Sequence, residues 1–65
     1  MGYSERVKEE KRELDIKKEA LSKFLNTELF LKLELESRKL LRRQFEVMSE
    51  YSEILEERLK LADNE

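Results

Sequence analysis

From Glu36 to Ala62 the chain has neither glycine nor proline, and its apolar side chains recur there in steps of three and four, the period of a helix. The stretch "LLRRQFEVMSEYSEILEERL", residues 40–59, assigns Leu41, Met48, Leu55 and Ala62 to one inward heptad position and Gln44, Tyr51 and Arg58 to the other. In that register Leu40, Val47, Ile54 and Leu61 flank the stripe on one side, with Phe45 and Leu59 on the other. An apolar face so broad exceeds what one partner helix covers. Leu40, Phe45, Val47, Ile54, Leu59 and Leu61 are therefore expected to form an oligomer interface.

A helix over residues 4–26 is expected to precede it, capped by Ser4, with Glu5 in the first turn where the helix dipole favours a carboxylate. Its inward row reads Tyr3, Val7, Glu10, Leu14, Lys17, Leu21 and Phe24. Asn26 is the expected left-handed stop and Thr27 the cap of the next helical segment. In "ELFLKLELE" Leu29, Leu31, Leu33 and Leu35 alternate with mostly polar residues, the pattern of a strand. A lone strand in a helical chain would leave its backbone groups unpaired. The expected bend is instead a short helical turn within 27–35, with Phe30 and Leu33 covering the end, followed by a helix over 36–62 and a fraying "DNE" terminus.

At 65 residues the chain makes one domain, near the length at which a single core barely supports itself. It has no cysteine for a disulfide and no histidine or cysteine for a structural metal site, which leaves oligomerisation as the usual support. The sole glycine is Gly2 and proline is absent, so tight turns, and with them an all-β fold, are disfavoured. The expected fold is all-α: an antiparallel helical hairpin with a short helical turn at its bend, assembled into a homo-oligomeric helical bundle.

A formal charge of −2 argues against nucleic acid as a partner, and no apolar run approaches the length of a membrane span. The charged N-terminus lacks the apolar core of a signal peptide, and Arg6 occupies the place where a myristoylation pattern wants Ser or Thr. A cytoplasmic protein is expected. The serines have no base beside them apart from lysine, so no catalytic residue, metal ligand or cofactor is assigned. Carboxylate pairs such as Glu9 with Glu13, or Glu53 with Glu57, are expected to be solvated.

The cations Arg38, Lys39, Arg42 and Arg43 open the second long helix, and Glu50, Glu53, Glu56 and Glu57 lie toward its end. They form either a solvated face whose blocks set antiparallel subunit pairing, or an anion patch beside free helix amides. Folding the chain at its bend brings Arg58 toward Arg6 and Glu10, Tyr51 toward Leu14, and Gln44 toward Lys17. This pairing admits two roles. In one, Glu10 pairs with Arg58 and Lys17 meets Gln44 or the Tyr51 hydroxyl, fixing register. In the other these groups form a pocket between subunits, where Tyr51 stacks a planar ring while Arg58, Lys17 and Arg6 hold its anionic part.

The pattern "ERV..E...L" at 5–14, Phe24, "F..L" at 30–33 and "LL..Q...M..Y..IL..R" at 40–58 resembles a group of short helical proteins of bacteriophages and prophages, including crAss-like phages. In architecture it is similar to the small phage hairpins that counter CBASS and Thoeris immunity. The resemblance implies a homo-oligomer that sequesters a cyclic nucleotide signal, a cyclic oligonucleotide or a cyclic ADP-ribose, without cleaving it. The architecture carries over no binding residue position by position, but under the sequestering reading Tyr51 is expected to stack a base, Arg58 and Lys17 to contact phosphates, Gln44 to read a base edge and Glu10 to orient Arg58. The competing expectation is an interaction module or virion adaptor that binds a host or phage protein through the Leu40–Leu61 strip.

Overall fold

A computed structural model describes residues 2–63, which form three α-helices: α1 (Tyr3–Leu25), α2 (Glu28–Leu31) and α3 (Leu35–Asp63). No strand occurs among the described residues, so the alternating leucines of 29–35 do not make one. Helix α3 continues through Asp63, one residue into the stretch 63–65 expected to fray; the rest of that stretch, 64–65, lies outside the described residues.

Helix α1 begins one residue earlier than its expected cap. Gly2 precedes it with extended backbone and no side-chain cap, and Ser4 lies inside the first turn. Tyr3 is drawn into the helix by α3: the Arg58 guanidinium lies 5.2 Å from its ring centre and donates to its hydroxyl from Nε at 2.8 Å and from Nη2. At the other end Asn26 is not left-handed, having φ −100°. Its side chain instead donates to the Ser22 carbonyl at 3.0 Å, its own N–H to the Lys23 carbonyl at 3.2 Å and the Thr27 N–H to the Phe24 carbonyl at 3.0 Å, so the last turn closes without a positive φ.

Thr27 caps α2 as expected. Its hydroxyl accepts from the Phe30 N–H at 3.2 Å and donates to the Phe24 carbonyl at 2.7 Å, tying the end of α1 to the start of α2. That bond aims Phe30 inward, where it is 1% exposed, edge-on to Phe24 at 6.0 Å and covered by the Arg42 guanidinium at 5.1 Å. Leu33, three residues on, is half-buried, and its N–H donates to the Phe30 carbonyl at 3.1 Å.

Beyond the bend α3 returns along α1 in the opposite sense, since Lys18 lies over Phe45, Lys11 and Asp15 meet Ser52, and Tyr3 meets Arg58. The molecule is a rod of 48 × 15 × 13 Å. Its length is that of α3 itself, whose 29 residues at ~1.5 Å each span about 44 Å. Among the described residues Val7, Phe30 and Leu55 are the apolar side chains fully withdrawn from solvent.

Candidate functional site

The row of α3 that packs against α1 differs from the expected one. Leu41, Met48 and Leu55 belong to it, but the alternate positions are Phe45, Ser52 and Leu59 rather than Gln44, Tyr51 and Arg58. Helix α1 is turned in the same way: Val7, Leu14 and Leu21 are joined by Ser4, Lys11, Lys18 and Leu25, while Glu10 and Lys17 are exposed. Each step of one residue rotates a helix face by about 100°. Phe45 and Leu59, expected at an oligomer interface, are accordingly half-buried within the chain.

The rotation is made tolerable by a polar network inside the seam. Lys11 Nζ donates to Asp15 Oδ2 at 2.7 Å and to Ser52 Oγ at 3.2 Å, and Ser52 Oγ donates to Asp15 Oδ1 at 2.6 Å. Ser52 is 5% exposed, and its hydroxyl is satisfied both as donor and as acceptor. Glu56 lies 3.9 Å from the same ammonium. The hydrogen bonds from Lys11 and then Ser52, reinforced by the charges of Lys11 and Lys18, hold the Asp15 carboxyl below the usual carboxylate range. Lys11, Asp15 and Ser52 were not foreseen as a unit. The signal available was the i,i+4 pair of Lys11 and Asp15, on a face that also carries Val7 and Leu14.

The turn leaves a second row of α3 uncovered. Leu40, Val47, Ile54 and Leu61 are between 52% and 68% exposed, and they alternate with Gln44, Tyr51 and Arg58 in steps of four and three. Every member of this outer row precedes a member of the packed row by one residue, so the helix carries two heptad seams about 100° apart. Gln44 and Tyr51 are exposed on it, and Arg58, half-buried, is held by Tyr3 at its edge.

The residues of α1 expected to complete a pocket lie elsewhere. Arg6 and Glu10 line a shallow depression with Glu5, Glu9 and Glu13 on the outer face of α1, and Lys17 is exposed. The structure does not bring them to Tyr51, and Glu10 forms no ion pair with Arg58, whose partner is the Tyr3 hydroxyl. Of the four cations, Arg42 is occupied over Phe30, Lys39 lies 3.9 Å from Glu36, and Arg38 is half-buried with its Nε enclosed and without a hydrogen-bond partner. Lys39, Arg42 and Arg43 share an open depression with Glu46, Val47 and Glu50, beside the outer row. Among the described residues no group of three or more acidic, histidine or cysteine side chains is placed to hold a metal ion, and no helix is long and apolar enough to cross a membrane.

A family model described as Sequestin matches residues 1–61. The chain belongs to the Sequestin family. It is similar over 59 residues, at 44% identity, to an uncharacterized 7.5 kDa protein in the denB-rIIB intergenic region of Enterobacteria phage T4, covering 91% of this chain and 92% of that one. The resemblance to short phage proteins read from the sequence is thus shown, and it is a resemblance to proteins of the Sequestin type. No solved structure matches the chain. The matched span takes in all of α1 and α2 and α3 as far as Leu61, and with them the whole outer row of α3.

Proposed function

We propose that the chain is a phage-encoded, non-enzymatic sponge that sequesters a cyclic nucleotide immune signal, a cyclic oligonucleotide or a cyclic ADP-ribose, in the host cytoplasm. The carrying observation is the outer row of α3, where an amide, a phenol and a guanidinium alternate with exposed aliphatic side chains on a face the chain itself leaves open. A planar base suits Tyr51, a phosphate suits Arg58, and the amide of Gln44 suits the edge of a base. Membership in a family named for sequestration, and similarity to a phage protein, support capture rather than turnover.

The working form is a hairpin of α1 and α3 within a homo-oligomer. Burying an aliphatic or aromatic side chain yields about 1.5–3 kcal/mol, whereas ordering one backbone residue costs roughly 1–2 kcal/mol. Three fully buried apolar side chains among the described residues are few against that cost, and covering the outer row adds to them. Arg6, Glu10 and Lys17 would then reach a ligand only from another subunit.

Native mass spectrometry of the protein, alone and with a mixture of cyclic dinucleotides, cyclic trinucleotides and cyclic ADP-ribose isomers, tests the reading. The expected spectrum is a defined oligomer that gains ligand mass, and Arg58→Met should lose that mass while keeping the oligomer and its helical circular dichroism. A protein that gains no ligand from the mixture would turn the reading to the second use of the same row, the docking of a host or phage helix along Leu40, Val47, Ile54 and Leu61.

A further inference from the structure

The outer row of α3 has the period of a coiled-coil seam and no partner, and the charges beside it differ between the two halves of the helix. Arg43 flanks the row near its start, Glu50 at its middle and Glu57 near its end, all on the side away from the packed row. A parallel copy would bring like beside like along the helix, basic half against basic half. An antiparallel copy brings Arg43 beside Glu57 at both ends of a two-fold contact, and opposite potentials of this kind fix orientation and register.

We propose that α3 pairs antiparallel with α3 of a second copy through its outer row, so that Gln44 of one copy shares a polar site with Tyr51 and Arg58 of the other. The register sets Val47 level with Tyr51 of the second copy, Gln44 level with Ile54, and Leu40 level with Arg58. Each polar member of the row thereby faces an aliphatic one, as knobs of unequal size require. Gln44 lies three to four residues along the axis from Tyr51 and Arg58 of the second copy, about 4.5–6 Å at the helical rise.

Sliding the contact by one heptad toward the C-terminus would set Glu50 against Glu57 twice, and sliding it the other way would strand Ile54 as well as Leu61, which in the chosen register lies just past Leu40 of the second copy. In the chosen register the like-charge meeting of this flank is Glu50 with its own counterpart across the axis. Two equivalent sites arise per pair, each built from both copies and each bordered by the Tyr3 that holds Arg58. This site deepens the sponge reading and rests on it; the pairing does not.

The chain has no cysteine, so single cysteines report orientation directly. With a short bis-maleimide, Leu40→Cys alone and Leu61→Cys alone should give no covalent dimer, while an equimolar mixture of the two should give one. Each variant cross-linking to itself would overturn the pairing in favour of a parallel one, and no cross-link in any sample would overturn it outright. Arg43→Glu should raise the dissociation constant of the pair at least about tenfold, and adding Glu57→Arg in the same chain should restore it, with circular dichroism confirming that both variants are helical. A double variant no tighter than Arg43→Glu would refute the register.

Ile54→Glu, which abolishes the pair, should also abolish uptake of the cyclic nucleotide probes if the site is shared. Uptake retained by that monomer would refute the shared site. An antiparallel pair that takes up none of the cyclic dinucleotides, cyclic trinucleotides or cyclic ADP-ribose isomers would remove the sponge reading and the shared site and leave the pairing standing.

Discussion

Lys11, Asp15 and Ser52 occupy a stretch of the seam where aliphatic side chains would have packed, and each is there because the other two satisfy it. Ser52→Ala should lower stability by about 1 kcal/mol, read as a shift in the urea midpoint, because it removes both bonds of the enclosed hydroxyl while Lys11 and Asp15 keep access to water. Asp15 carries a second consequence. Its pKa is lowered in the folded chain, so the ionised form is the one that folding favours, and its contribution is complete above about pH 4, the unfolded value. The contribution is lost as pH falls through the lowered folded value. Thermal melts from pH 7 to pH 2 should show that loss, and Asp15→Asn should be less stable than the parent at pH 7 with a flatter acid limb.

At the scale of the element, both long helices were legible because a run without glycine or proline and with a helical apolar period has few other forms. The short α2 was legible too, from the unpaired backbone a lone strand would have there and from Thr27 as a cap. The azimuth of each helix was not. Leu41, Met48 and Leu55 read equally well with Gln44, Tyr51 and Arg58 or with Phe45, Ser52 and Leu59, and only contact between helices decides. The aromatic rings of Tyr3 and Phe24 pulled the reading of α1 one residue off, since a hidden Lys11 makes sense only once Asp15 and Ser52 are beside it. For the candidate site this meant that Gln44, Tyr51 and Arg58, read as part of the inward stripe with Leu41, Met48 and Leu55, lie instead on the outer row with Leu40, Val47, Ile54 and Leu61, and that their neighbours from α1 were assigned wrongly. The bend offers its own test: Thr27→Ala should cost about 1 kcal/mol in chemical denaturation and expose Phe30 to faster quenching or proteolysis nearby, with α1 and α3 still helical.

The whole molecule is a thin rod whose interior is small for its surface, with one face of α3 left apolar along most of its length. If assembly supplies the missing burial, the melting temperature should climb with protein concentration, by several degrees between micromolar and submillimolar samples, in scanning calorimetry or circular dichroism. A melting temperature independent of concentration would mean that the rod is self-sufficient.

The inner and outer rows of α3 have no residue in common, although they run side by side for the length of the helix. A substitution at Gln44 or Val47 can therefore alter the exposed surface without passing through the interior. A lineage of such chains would be free to vary that surface quickly while inheriting its shape unchanged.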